Sequence, residues 1–230
     1  MKPSLLLIAG LSLLAGAASS FAADPAAVKE TIVSQWKMEA FRGDEVPNVI
    51  PNGPPLTVAE PEARPERATD ESLKGVLFAN GEAFTTRSGE IPTLHGFGTA
   101  GEGFAVRLRF RPTETPPGAY GGLFQAMVYR EQGFRIVLTT GPKVGVEIFR
   151  EGEETQGLTS ESVLEFHQDY TVEVRFEGNT ARLFLNGSLE AEKEVYPTAY
   201  TGPITIGRAS GKDYYFRGIM EEVTILSLAP

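Results

Sequence analysis

The sequence predicts an all-β fold, a sandwich or a barrel of short strands. Apolar and polar residues alternate with a period of two in many short segments, for example in Phe104–Phe110 and Tyr170–Phe176. Turn-forming residues separate these segments. Asn186-Gly187 is the strongest hairpin signal, because both positions readily adopt positive φ. The spacing corresponds to about a dozen strands, which is typical of sandwiches and barrels.

The first residues have the pattern of a secretory signal peptide. Lys2 precedes an uncharged apolar run from Leu5 to Ala18, and Ser20-Phe21-Ala22 fits cleavage after Ala22. The run is too short to span a bilayer and no later segment is long enough, so no transmembrane segment is expected in the mature chain. An uncleaved membrane anchor is the alternative. We therefore expect a secreted or periplasmic protein.

Composition limits the partners and the chemistry. The chain has no cysteine, which excludes disulfides, thiolate metal sites and a lipoprotein anchor. Its formal net charge is -9, and loss of the signal peptide removes only the positive charge of Lys2. An acidic surface of this kind repels nucleic acid and anionic lipid, so neither is expected as a partner.

We divide the chain into a signal peptide (1–22), an N-terminal segment (23–35) and one β domain (36–230). A helix is expected around Ala26–Gln35, with Asp24-Pro25 as N-cap and first-turn proline. Residues 47–67 hold six prolines and are expected to form an extended loop. Strands are expected over residues 76–226. The residues predicted to share the core are Val106, Leu108, Phe110, Val172, Val174, Phe176, Leu183 and Leu185.

Several segments resemble laminin-G-like (LamG) domains. The segment Gly218-Ile-Met-Glu-Glu-Val-Thr-Ile225 resembles their closing "G-x-I-D-E-V-x-I" strand, with Glu221 in place of Asp. Tyr170–Gly187 is similar to their central hairpin pair, and Trp36-x-Met-Glu to their opening strand. Phe104–Phe110 resembles their "F-T-V-x-x-W" strand, although the Trp is absent. The resemblance implies a concanavalin A-like jelly roll of two antiparallel sheets, recognition of carbohydrate or protein, and often calcium at the rim.

Catalytic motifs are not evident. Glycan-cleaving jelly rolls resemble one another in an E-x-D-x-E strand, which places carboxylates on one face. Glu151-Gly-Glu153-Glu154 lies in a loop and lacks the Asp, while Glu173 and Glu177 have Arg175 between them, as in an ion-paired surface. The chain also has no Gly-x-Ser-x-Gly elbow. We expect no enzyme activity, with a divergent glycan hydrolase or lyase as the remaining catalytic alternative.

Calcium is a better metal candidate than zinc, since calcium needs only oxygen ligands. The candidate ligands are Asp44, Glu45, Asp70, Glu71 and Asp213. Plain surface acidity is the favoured alternative. The two histidines, His95 and His167, lack cysteine partners and are interpreted as turn or surface residues.

Glu221 is a separate case, because it alternates in phase with Ile219, Val223 and Ile225. A carboxylate on an apolar face must be paired or hydrogen-bonded. A bond to an arginine or to backbone amides is therefore favoured over metal ligation.

Two features are candidate ligand surfaces. The arginine stripe, defined as Arg107, Arg109 and Arg111, could hold an acidic glycan, although cross-strand pairing with Glu173 and Glu177 is favoured. The loops that frame the last strands are rich in rings, which could stack on sugars. Their candidate residues are Tyr196, Tyr200, Asp213, Tyr214 and Tyr215.

The sequence therefore predicts a secreted, non-catalytic binding or adhesion module whose rim loops recognise carbohydrate. The alternative is that the chain is a structural or assembly protein. It would then bind an extracellular or periplasmic protein through a sheet face.

Overall fold

The computed structural model describes residues 28–68, 74–87, 91, 94, 103–196, 198–210 and 213–229. These residues form two antiparallel β-sheets of eight strands each, which enclose one hydrophobic core. The predicted all-β, two-sheet sandwich is confirmed.

The described strands are numbered in chain order, and a short 3-10 turn at Met38–Ala40 follows the first of them. They are β1 (Lys29–Lys37), β2 (Glu45–Val46), β3 (Leu56–Val58), β4 (Glu66–Arg67), β5 (Val76–Phe78), β6 (Phe84–Thr85), β7 (Gly103–Pro112), β8 (Tyr120–Val128), β9 (Gln132–Thr139), β10 (Val144–Arg150), β11 (Gln156–Thr159), β12 (Tyr170–Glu177), β13 (Thr180–Leu185), β14 (Ser188–Glu194), β15 (Thr205–Ile206) and β16 (Gly218–Ala229).

The two sheets are built from strands distant in sequence. Sheet A has the order β14-β13-β12-β7-β16-β5-β4, and β1 also pairs with β16. Sheet B has the order β11-β10-β9-β8-β15-β6-β3-β2. The edge strands β14 and β11 lie close to each other, since the Lys193 ammonium donates to the Gly157 carbonyl at 3.3 Å. The chain crosses from sheet A to sheet B between β14 and β15, next to this pair of edges.

The core lies between the sheets, where the inward side chains of both interdigitate. All eight residues predicted to share it are at most 7% exposed, which confirms their placement. Phe176 of sheet A lies at the centre of an aromatic cluster. Its ring centroid is 4.9 Å from that of Phe104 and 4.9 Å from that of Phe134 on sheet B. This cluster connects the two sheets directly.

The hairpin predicted at Asn186-Gly187 is confirmed. It joins β13 to β14, with φ of 50° at Asn186 and 84° at Gly187. The Asn186 side chain accepts the Thr171 N–H at 2.9 Å, so the turn is also held to strand β12.

The helix predicted around Ala26–Gln35 is wrong over its described part. Lys29–Lys37 form β1, which pairs along β16 and crosses the expected boundary at residue 36. Thr31, Ile32 and Val33 are consecutive β-branched residues, which favour a strand. Pairing with β16 therefore overrides the local helix signal. Asp24-Pro25 and the signal peptide are outside the described residues.

The expected loop at 47–67 is wrong at two short strands. Leu56–Val58 form β3 and Glu66–Arg67 form β4. Neither segment contains proline, so each backbone N–H is available to a neighbouring strand. Leu56 is fully buried and anchors this part of the chain to the core.

Strand β16 contains a β-bulge at Glu221. Met220 pairs with Phe110 and Glu222 pairs with Arg109, so that Glu221 is the extra residue. The alternation of inward and outward side chains shifts by one residue at this point.

The sequence placed Ile219, Glu221 and Val223 on one face. In the structure Met220 and Val223 lie in the core, so the predicted phase is wrong on the N-terminal side of the bulge. The Glu221 carboxylate lies 2.9 Å from the Arg109 guanidinium. The expected bond between Glu221 and an arginine is therefore confirmed.

Candidate functional site

Each guanidinium of the arginine stripe is bound to a carboxylate of the same chain. The pairs are Arg107 with Glu173 (2.5 Å), Arg109 with Glu221 (2.9 Å) and Arg111 with Asp169 (2.8 and 3.0 Å). Cross-strand pairing is thus confirmed for Glu173. Glu177, the other expected partner, binds Arg182 instead.

Four charged residues form a closed ring on the outer face of sheet A. Arg107 and Arg175 both bind Glu173, and both also bind Glu30 of strand β1, at 3.5 and 2.5 Å respectively. The Glu173 side chain is only 10% exposed, so its charge requires such partners. Internal ion pairs therefore occupy this part of the outer face of sheet A.

The loop predicted to bind sugars uses one of its rings internally. Tyr214 stacks on Tyr120, with ring centroids 4.5 Å apart and an interplanar angle of 13°. Gly118 also approaches it, since a Cβ there would lie 2.9 Å from the Tyr214 ring. Asp213 is exposed beside this stack. One face of Tyr214 is consequently already covered.

Tyr215 contacts a different part of the protein. Its ring lies 5.6 Å from the Arg217 guanidinium carbon, and its hydroxyl accepts a hydrogen bond from Arg217 at 3.3 Å. A Cβ at Gly81 would lie 3.6 Å from the same ring. Tyr214 and Tyr215 therefore do not form one continuous aromatic surface.

Beneath Tyr120 lies a buried cation. The Arg135 side chain is 5% exposed, lies 4.3 Å from the Tyr120 ring centroid and binds Glu147 at 2.5 Å. Its Nη1 nitrogen is buried without a hydrogen-bond partner. Burial raises the pKa of Tyr120, and the positive charge of Arg135 opposes this rise. The Tyr120–Tyr214 stack therefore lies against a buried, charged side chain.

Tyr200 is not a rim residue, so its assignment as a ligand contact is corrected. It is 4% exposed and belongs to the core, and its hydroxyl donates to the Pro203 carbonyl at 2.7 Å. A tyrosine can satisfy its hydroxyl on a nearby carbonyl while its ring packs among apolar side chains.

The burial of Tyr200 predicts alkaline destabilisation. Burial raises the pKa of Tyr200 to about 12, whereas an unfolded tyrosine titrates near pH 10. Between these values the unfolded chain loses a proton that the folded chain keeps, so the free energy of unfolding falls as pH rises, by about 3 kcal/mol in all. Urea unfolding at pH 8, 10 and 11 should show this slope.

The control for this prediction is Tyr200→Phe, which removes the titrating hydroxyl. The variant should be less stable by about 1 kcal/mol at pH 8, because the bond to Pro203 is lost. Its stability should then fall less steeply above pH 10. Parallel slopes for wild type and variant would contradict the assignment.

Tyr196 lies on a pocket of about 270 Å³ and is 49% exposed. The lining residues are Ile148, Arg150, Glu153, Glu154, Gln156 and Tyr196. They come from the β10–β11 hairpin and from the crossover after β14, so the pocket lies where the edges of the two sheets meet. Its volume is somewhat below the roughly 300–1,000 Å³ of drug-sized sites, which suits one small ring.

The pocket combines hydrogen-bond donors, acceptors and an aromatic face. The Arg150 guanidinium lies 5.9 Å from the Tyr196 ring centroid, and within the described residues it makes no ion pair. Gln156 accepts the Tyr196 N–H through Oε1 at 2.9 Å, which leaves its amide N–H groups as donors. Glu153 and Glu154 are exposed carboxylate acceptors. These groups can bind a polar ligand with an apolar ring face.

Sequence reasoning found Tyr196 but missed Arg150 and Gln156 as its neighbours. In the sequence, the loop Glu151-Gly-Glu153-Glu154 has the composition of a catalytic motif and no sign of a binding pocket. The adjacency of β11 and β14 brings Gln156 and Tyr196 together across forty residues of chain. No local motif could have indicated this contact.

Metal ligation is not supported by the described residues, in which no three His, Cys, Asp or Glu side chains come together as a metal site. Asp44 instead lies 3.3 Å from Arg64. The candidates Asp70 and Glu71, and also His95, are outside the described residues. His167 is an exposed turn residue with φ of 64°. Calcium therefore stays a prediction without a ligand set.

A protein-family model matches residues 78–229, from the last residue of β5 to the end of β16. Its description is the concanavalin A-like lectin/glucanases superfamily. The chain belongs to this superfamily. The match extends over most of both sheets and includes three of the four segments that resemble LamG domains, whereas Trp36-x-Met-Glu lies before the matched residues.

Solved structures with a similar fold share little sequence with this member of the superfamily. The botulinum neurotoxin serotype D binding domain has a TM-score of 0.63 at 10% identity, over 84% of this chain and 47% of that one. Domain 4 of a GH43 extracellular arabinanase from Geobacillus stearothermophilus, in complex with arabinotriose, has a TM-score of 0.63 at 12% identity, over 87% and 94%. A Trypanosoma rangeli sialidase has a TM-score of 0.61 at 14% identity, over 84% and 30%.

At these identities the similarity shows the fold alone. This chain spans about half of the neurotoxin domain and less than a third of the sialidase. No curated protein matches the chain in sequence. No helix among the described residues has the length and apolarity needed to cross a membrane.

Proposed function

We propose that this protein is a secreted or periplasmic, non-catalytic module that binds carbohydrate in the Tyr196 pocket. The observation that carries the proposal is the half-exposed Tyr196 ring beside a guanidinium, two carboxylates and an amide. A sugar ring has apolar C–H faces and polar hydroxyl edges. An aromatic face next to planar hydrogen-bonding groups is complementary to both.

The location of the pocket supports a binding role. It lies at the rim of the sandwich, in loops that follow strands β10 and β14. Binding residues are often found on loops that a folded scaffold holds in place. Among proteins with a similar fold, an arabinanase domain is known in complex with arabinotriose and a neurotoxin domain is a binding domain. Secretion is proposed from the signal-peptide pattern of residues 1–22.

A non-catalytic role is supported by the state of the carboxylates on sheet A. Glu173 and Glu177 are bound by arginines, so neither is a free acid or nucleophile. The alternative of a structural protein that docks through a sheet face has no comparable support. The part of the outer face of sheet A around Glu173 is charged and internally paired.

The test is a glycan-array screen of the mature protein, followed by calorimetry with the best ligand and a Tyr196→Ala variant. We expect Tyr196→Ala to weaken binding by about 1–3 kcal/mol, because a central aromatic contact is lost. Tyr129→Ala is the matched control, since Tyr129 is also 49% exposed but lies in the β8–β9 turn, outside the pocket. It should bind like wild type.

Three results would count against this proposal. Absence of any glycan ligand would favour the protein-binding alternative. Equal losses in the two tyrosine variants would point to a general effect. Loss of binding in a folded Tyr214→Ala variant, with Tyr196→Ala unaffected, would place the site on the Asp213–Tyr215 loop instead.

A further inference from the structure

The charges around the Tyr196 pocket are predominantly negative. Arg150 is the only cation among the lining residues, whereas Glu153 and Glu154 supply two carboxylates. Glu151 lies in the same turn, and the whole chain has a formal net charge of -9. An anionic ligand that entered the pocket would lose part of its hydration and would be repelled by these carboxylates.

The donors and acceptors of the pocket are mixed. Arg150 donates only, the two carboxylates accept only, and Gln156 is left with donors because its oxygen is bound to the Tyr196 N–H. A hydroxyl group both donates and accepts, so adjacent hydroxyls can use both kinds of partner at once. An ionised carboxylate or sulfate only accepts and would leave Glu153 and Glu154 without a donor.

The paired arginines on the outer face of sheet A give no better site for an acidic sugar. Arg107 and Arg109 are paired with carboxylates of the chain, and Arg175 binds two of them. An acidic ligand would have to displace these internal partners. Arg150 makes no ion pair among the described residues, and its guanidinium lies beside the Tyr196 ring.

We propose that the Tyr196 pocket binds an uncharged sugar unit, with Glu153 and Glu154 accepting hydrogen bonds from its hydroxyls and Arg150 and Gln156 donating to them. This inference rests on the proposed carbohydrate-binding function and adds its ligand class. It differs from the less favoured hypothesis from the sequence, that the arginine stripe could hold an acidic glycan.

The experiment compares neutral trisaccharides (arabinotriose, cellotriose and xylotriose) with trigalacturonate and sulfated oligosaccharides on the array. We expect the bound ligands to be neutral, and their affinity to change less than about twofold between 50 and 500 mM NaCl, because no ligand charge is screened. The decisive variant is Glu153→Gln with Glu154→Gln. It should weaken a neutral ligand by about tenfold or more, because strong charged acceptors are lost.

The control is Glu131→Gln with Glu165→Gln, which makes the same change in net charge at two exposed positions outside the pocket. This variant should bind like wild type. An acidic ligand, with steep salt dependence and tighter binding to Glu153→Gln/Glu154→Gln, would overturn the inference while the carbohydrate-binding function stood. Failure of every glycan to bind would overturn the proposed function and the inference with it.

Discussion

Replacing Phe176 with alanine is expected to lower the free energy of unfolding by about 3–5 kcal/mol, as is usual when a large buried aromatic side chain is removed. Phe176 is 1% exposed and its ring touches Phe104 on sheet A and Phe134 on sheet B. The change would leave a cavity at the contact between the sheets. Backbone strands on both sides limit how far that cavity can close.

The measurement is urea denaturation of the mature chain, and Phe184→Ala is the matched control. Phe184 is half-buried on the outer face of sheet A, where it lies 5.5 Å from the Arg175 guanidinium carbon. Its loss should cost about 1 kcal/mol, mainly the cation–π contact and partial burial. A cost below about 1 kcal/mol for Phe176→Ala would contradict the central position assigned to its ring.

The core was predictable because alternation is a direct consequence of strand geometry. Val172, Val174 and Phe176 alternate with polar residues, and a period of two can bury only one face of a strand. The hairpin at Asn186-Gly187 was predictable for a similar reason, since its turn needs positive φ. Both features depend on residues within a few positions of each other.

The errors arise where distant residues decide the local structure. Lys29–Lys37 became a strand because β16 offered a free edge, which no local propensity reveals. At Glu221, β16 has one more residue than the facing part of β7. This bulge reverses which of the neighbouring side chains point into the core. Local patterns cannot show either effect.

The candidate site also depends on residues that are distant in sequence. Tyr196 was identified because its type and position were enough to suggest a rim residue. Its pocket also needs Arg150 and Gln156, which join it only through the meeting of β11 and β14. The arginine stripe was identified correctly as a pattern. Spacing alone could not identify Asp169 as the partner of Arg111, or show which arginine binds Glu221, because the partners come from other strands and turns.

Replacing Gly133 with alanine is expected to be among the most destabilising small substitutions in this protein. Gly133 has φ of +87°, which costs a side-chain-bearing residue about 1–2 kcal/mol. A Cβ at this position would also lie 2.0 Å from the Ala126 carbonyl oxygen and 2.8 Å from the Met127 Cα. Because both are backbone atoms of strand β8, they cannot move aside as a flexible side chain would, and overpacking of this kind adds about 1–3 kcal/mol.

Gly152→Ala separates the two contributions. Gly152 also has positive φ, +77°, but no atom lies within 4 Å of the position of its missing Cβ. Its substitution should cost only the backbone contribution, about 1–2 kcal/mol, whereas Gly133→Ala should cost about 2–5 kcal/mol.

The Gly133 N–H also donates to Thr198, which in turn donates to the Phe149 carbonyl, both at 3.0 Å. A shift of Gly133 would therefore disturb the crossover segment that follows Tyr196. Urea unfolding of the two variants measures the difference, and equal costs would show that strand β8 can yield at Ala126.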